Sequence, residues 1–107
     1  MSRFGTVKVQ GSSMSPTLND GDWLLVRWID SFAKTTATNR LLGKVVVIER
    51  ENRPGIFLIK RLQKINGERF WVEGDNAESD DSRGWGWIPS NEIVGVVIVR
   101  YKKNVAN

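Results

Sequence analysis

Apolar and polar residues alternate in short runs along this chain, and turn-forming residues break the runs at close intervals. Alternation with a period of two marks a strand with one face buried. It is visible in residues 6–10, and residues 23–29, rich in apolar and aromatic side chains, predict a second strand. Residues 44–49 carry the unbroken run Val45–Ile48, the mark of a buried strand. Residues 56–65 predict a long strand. Asn66–Gly67 then predicts a two-residue hairpin turn, with residues 69–73 as the partner strand. A last strand is expected over residues 93–101.

The segments between these runs are built from turn formers. Residues 11–21, rich in Ser, Pro, Asn and Gly, predict a turn with room for one helical turn. Residues 30–43 are polar and irregular and predict a flexible loop. Residues 52–55 predict a turn and residues 74–87 a loop. Residues 88–92 predict a short helical turn, because Pro89–Ser90–Asn91–Glu92 has the character of a cap. The tail after Tyr101 is expected to fray. Short strands with turns between them, no repeat and no linker predict a mostly β fold. The expected form is a compact antiparallel folded sheet or barrel with little helix, spanning residues 1–107 as a single domain.

Composition removes whole classes of chemistry. The chain of 107 residues has no Cys and no His. Disulfides, thiol catalysis, His-based triads and most transition-metal sites are thereby excluded. A hydrolase built from this chain needs another base, and lysine is the obvious one. The net charge of +4 is modest and the basic residues are scattered. An acidic run, Glu73, Asp75, Glu78, Asp80 and Asp81, lies among them, which is the pattern of a mixed solvated surface. Apolar runs such as Val94–Val99 fall far short of the roughly 18 residues that a membrane span needs. The N-terminus is polar and strand-like rather than a signal peptide. The expectation is a cytoplasmic protein as the sequence stands, with membrane contact only if an anchor has been trimmed away.

Candidate chemistry falls in three segments. In residues 11–18, Ser13 sits between a strand and a tight turn. A serine there can present its hydroxyl outward and leave backbone N–H groups free for an oxyanion, although turn and cap roles account equally well for Ser, Pro and Thr. In residues 56–65, Lys60 shares a strand face with Ile56, Leu58 and Leu62. Burial of a lysine on an apolar face favours the neutral amine, which can accept a hydroxyl proton; a lysine at a sheet edge would instead extend its ammonium to water. In residues 74–83 the acidic side chains suggest a surface loop, with Asp81 and Arg83 as a loop-fixing ion pair. Asp75, Asn76, Asp80 and Asp81 are hard ligands but lack the spacing of a calcium loop.

Together and in this order, the three segments resemble the signal peptidase I family of Ser–Lys dyad serine proteases. That group includes bacterial leader peptidases, mitochondrial inner membrane peptidases and the small maturation proteases of nickel superoxide dismutase. Residues 11–18 look like the nucleophile box, with Gly21–Asp22 following at the usual place. Lys60–Arg61 looks like the box carrying the base. Gly74–Asp75–Asn76 and Ser79–Asp80–Asp81–Ser82–Arg83 look like the third box, and Gly95 fits the closing strand. The resemblance implies that Ser13 is the nucleophile, Lys60 the base and Ser79 the residue that orients the lysine. It implies an oxyanion held by the backbone of Ser13, with Ser12 adjoining, and a bracing ion pair between Asp81 and Arg83. Peptide would add as a strand along residues 8–10 and 57–59, Gln10 included, with Val9, Met14, Leu18, Leu58 and Ile59 lining the pocket for the residue before the cut.

Two departures stand out. Gly11 occupies the position where some members carry a hydroxyl donor, and the third-box loop is a residue shorter than in typical leader peptidases. The layout is closest to the nickel superoxide dismutase maturation protease, with the catalytic core of an anchored signal peptidase as the alternative. The implied partner is a precursor protein with an N-terminal extension. No cofactor, no metal and no nucleic acid is expected.

Other classes of function remain open on the sequence. Net positive charge with Trp23, Trp28, Trp71, Trp85 and Trp87 could build a nucleic-acid-binding barrel, although core packing and hairpin pairing account for most such tryptophans. A self-cleaving repressor-type domain shares the Ser–Lys chemistry, but this chain has no room for a DNA-binding module. A catalytically dead relative would have no need to keep Ser13, Lys60 and Ser79.

Overall fold

The computed structural model describes residues 3–29 and 38–104. The structure forms strands β1 (Arg3–Lys8), β2 (Trp23–Trp28), β3 (Val45–Glu49), β4 (Phe57–Asn66), β5 (Arg69–Glu73), β6 (Ile88–Pro89) and β7 (Ile93–Lys102). They join in one sheet of order β1-β2-β7-β3-β4-β5-β6. Every pairing in it is antiparallel. The mostly β antiparallel fold expected from the alternation is the one observed.

Both faces of this curled sheet are buried where β3 lies, which explains the unbroken apolar run in that strand. Val46 and Ile48 point into a cluster with Leu62, Phe70, Val72, Ile88 and Ile93. Val47 points the other way, to Val9, Met14, Leu18, Leu24, Val26 and Ile59. Burial of each such side chain stabilises the fold by roughly 1.5–3 kcal/mol. The second cluster fastens the turn after β1 to the sheet, because Met14 and Leu18 are its anchors.

Local differences from the sequence expectation have physical causes. The hairpin turn lies at Gly67–Glu68 rather than Asn66–Gly67, since Asn66 is still paired with Arg69. Gly67 has a φ of 61° and no non-glycine residue among the described residues has a positive φ, so glycine takes the first central position of the turn. Within residues 74–87 a short helix, α1 (Ser82–Trp85), forms because Asp81 caps it and accepts the N–H of Arg83. The expected turn at residues 88–92 divides into β6 and a 3-10 turn, Ser90–Glu92. The loop expected at residues 30–43 lies largely outside the described residues, and its end forms a 3-10 turn, Thr38–Leu41. Among the described residues no helix is long and apolar enough to cross a membrane.

Two of the strand edges that the pairing leaves open border the site. β1 is an edge of the sheet. β4 pairs with β3 through Phe57–Arg61, but with β5 only from Arg61 onward. Its first half is therefore open on one side. The curl brings that open half toward β1, and a cavity of about 260 Å³ lies between them.

Candidate active site

The cavity wall includes Val7, Val9, Gln10, Ser13, Met14, Phe57, Leu58, Ile59 and Lys60. Ser13 and Lys60, which stand far apart in the chain, thus meet at one opening. Ser12 and Gln10 are exposed beside it, and Ser13 is half-buried. Leu18 lies in the apolar cluster that includes Met14 and Val9, and it is not part of the wall.

Ser13 is held by its backbone. Its carbonyl accepts the N–H of Asn76 at 3.0 Å. The Ser12 carbonyl accepts both Ser15 N–H at 3.0 Å and Asn76 Nδ2 at 3.1 Å. Among the described residues, neither Ser12 N–H nor Ser13 N–H has a protein acceptor. Of the two, Ser13 lines the cavity and Ser12 does not. Gly11 has a φ of 86° and its N–H donates to Asp20 Oδ1 at 2.8 Å, so glycine makes the bend out of β1. Behind the turn, the buried Asp22 accepts Asn19 N–H at 2.9 Å, Arg100 Nη1 at 3.1 Å and Asn104 N–H at 2.7 Å.

Lys60 is only 4% exposed. Its strand partner Val46 and its neighbour Leu62 both lie in the apolar core. Its Nζ donates to Ser79 Oγ at 3.0 Å. Burial pushes the lysine below its ordinary value of 10.5. The charges of Asp81 and Asp80 oppose that shift and Arg83 adds to it. The amine can therefore shed its proton more easily than a surface lysine.

Asp81 organises the third segment. It is 1% exposed and accepts Gly74 N–H at 2.8 Å, Arg83 N–H at 3.0 Å and Arg83 Nη2 at 2.6 Å. Burial alone would raise its carboxyl. Hydrogen bonds from the Arg83 side chain, from the Gly74 and Arg83 backbone and from Ser79 overcome that and hold it well below the carboxylate range. The Arg83 guanidinium also reaches the carbonyls of Gly74 and Asn76, at 3.3 and 3.0 Å. The pair ties both ends of the loop together.

Two contributors escaped sequence reasoning. Arg61 grips Asp75 with two hydrogen bonds, at 2.9 and 2.8 Å, and Gly43 O with a third at 2.9 Å. That fork sets residues 74–76 against the Ser12–Met14 backbone, and the hydrogen bond from Arg61 holds the Asp75 carboxyl low. Gly74 sits where a Cβ would collide with both Ser13 O and Ser79 Oγ. Only the adjacency of Lys60–Arg61 and of Gly74–Asp75 in the sequence hinted at either. With Asp75 and Asp81 both bound to guanidinium groups, no cluster among the described residues is arranged to hold a metal ion.

The tryptophans are largely committed to packing. Trp28 lies against the Val9–Ile59 cluster and Trp85 against the other. Trp71 stacks edge-on with Trp87 at 5.3 Å and donates to Glu73 at 2.8 Å.

Comparison with known proteins adds a line of descent to this geometry. Residues 2–98 match the family described as Peptidase S24-like. The chain is 30% identical over 122 residues to the mitochondrial ATP-independent inner membrane protease subunit 1a of Arabidopsis thaliana, spanning 91% of this chain and 70% of that protein.

Proposed function

Because the chain belongs to the Peptidase S24-like family and is a protease of the signal-peptidase type, we propose that it is a serine endopeptidase with Ser13 as nucleophile and Lys60 as general base. The observation that carries this reading is a lysine buried in an apolar environment whose side chain opens on the same cavity as Ser13. Lys60 Nζ takes the Ser13 hydroxyl proton as Oγ bonds to the scissile carbonyl carbon. The resulting oxyanion is received by the open N–H groups of Ser12 and Ser13. The carbon–nitrogen bond breaks, and Lys60 returns its proton to the departing amine. Water, deprotonated by the same lysine, then releases the acyl group from Ser13. Ser79 holds the amine in place, and Asp81 with Arg83 holds Ser79's loop.

The substrate enters as an extended strand between the open edges of β1 and β4. The residue before the cut points to Val9, Met14 and Ile59. The proposed reaction is removal of an N-terminal extension from a precursor protein, with nickel superoxide dismutase precursors as the first candidates on the layout of the three segments. Precursors processed at a membrane surface are the alternative, favoured by the likeness to an inner membrane protease subunit.

A panel of peptides spanning both kinds of cleavage junction, read by mass spectrometry, tests this. The expected result is one cut in one class, absent in Ser13→Ala and in Lys60→Met. Undiminished cutting by either variant would remove the dyad.

A further inference from the structure

A second hollow lies on the same face as the cavity and shares Phe57 with it. It measures about 350 Å³ and is lined by Arg3, Trp28, Ile29, Glu49, Phe57 and Val94. The Trp28 and Phe57 rings meet at 5.5 Å with a 46° tilt. Phe57 is nevertheless 45% exposed and its neighbour Ile56 is 51% exposed. An aromatic pair left half open to solvent at the end of a binding groove calls for an apolar occupant.

The register along β1 says which one. Gly5 and Val7 share one face of that strand and Val9, just past its end, keeps the same parity, in steps of two residues, or roughly 6.6 Å. Val9 belongs to the apolar cluster beside Ser13, and Val7 packs against that cluster. Gly5 has no side chain, and the indole of Trp28 lies directly over it, where a Cβ would collide with Nε1. An extended chain laid beside β1 presents its side chains to the same face at the same two-residue interval. With the residue before the cut opposite Val9, the third residue back lies opposite Val7 and the fifth opposite Gly5, against Trp28 and Phe57.

We propose that this hollow is an upstream subsite that selects a large apolar side chain at the fifth position before the cut. The proposal rests on the proteolytic reading above and deepens it. Four of the hollow's six lining residues, Trp28, Ile29, Phe57 and Val94, are apolar, and Arg3 and Glu49 add charges of opposite sign. A polar uncharged side chain entering it would give up hydration against those apolar walls. Selectivity therefore reaches beyond the residues flanking the bond, and the hollow contributes binding energy remote from the chemistry.

The test compares two peptides sharing one cleavage junction, one beginning three residues before the cut and one beginning six before it, with Leu at the fifth. Each is assayed with the wild type and with Phe57→Ala. The expected result is that the longer peptide is cut with a kcat/KM about tenfold higher. Changing its Leu to Ser should remove that advantage, and Phe57→Ala should reduce it by several-fold more than it reduces cutting of the short peptide. Phe57 also borders the main cavity, so the difference between the two losses is the readout. Cutting of the short peptide shows that the variant is folded. Equal losses for both peptides, or indifference to the fifth residue, would assign the hollow to another occupant such as a second copy or a lipid chain, and would overturn the proposal alone. Cleavage of neither peptide by the wild type would overturn the proteolytic reading, and this subsite with it.

Discussion

Lys60 Nζ and Ser79 Oγ stand 3.0 Å apart, and the hydroxyl that receives the amine also helps to hold the Asp81 carboxylate ionised. The buried lysine is thus aimed by a group that lies against a buried carboxylate, itself held by the more exposed Arg83. Removing that hydroxyl should leave the fold intact and loosen the aim. Ser79→Ala is expected to lower kcat about a hundredfold with little change in KM. Steady-state kinetics decide this, and an unchanged kcat would deny Ser79 any orienting role.

Lys60 carries two linked pH dependences. The rate should rise with pH as the amine loses its proton and level off below the ordinary lysine value of 10.5. Stability should follow the same sign. Between the lowered native value and the ordinary one, the unfolded chain binds a proton that the native state does not, so stability rises with pH across that window. Lys60→Met should abolish cleavage and raise Tm at neutral pH by about 5 °C, with the gain shrinking as pH rises through that window and spent by about pH 10.5. Thermal unfolding of both proteins at pH 7 and pH 10.5 measures it.

Gly74 is expected to be intolerant for a reason unconnected with backbone freedom. Gly74→Ala places a methyl group against Ser13 O and Ser79 Oγ together. Activity should fall by at least a hundredfold. Circular dichroism and urea unfolding should show a much smaller change, and parallel losses of both would point to misfolding instead.

Asp81→Asn removes an acceptor buried beneath a guanidinium. The expected cost is about 3 kcal/mol in urea unfolding. The native carboxyl is lowered, so its contribution is present above about pH 4 and is lost as pH falls toward the native value. Acid unfolding of the wild type should therefore steepen below pH 4, and that steepening should be weaker in the variant.

The sequence was informative where its signals were local. Runs of strand-forming residues between turn signals located the long strands, and the parity of Lys60 with Leu58 and Leu62 left burial and an edge position both open, of which burial is the one found. The fork between Arg61 and Asp75 was not legible, because it depends on where the β4–β5 hairpin delivers the next loop. Helix α1 was missed because four residues carry no helical period, and its cause is the capping carboxylate of Asp81. The hairpin turn was misplaced by one residue because Asn66–Gly67 and Gly67–Glu68 both satisfy the demand for glycine, and the paired Asn66 decides between them. Nothing local announces that β7 sits between β2 and β3, which is the placement that curls the sheet.

The two unpaired edges of β1 and β4 have a bearing on timing. A slot that accepts a missing strand accepts only chain that is locally unfolded, and backbone pairing is blind to the identity of that chain. A precursor whose N-terminal segment has already coiled into a helix or docked on its own body offers nothing to pair. Conformational availability is then a first filter and side-chain fit a second. Cutting would be confined to the interval before the precursor's leading segment settles, and a finished product would escape renewed attack simply by having folded.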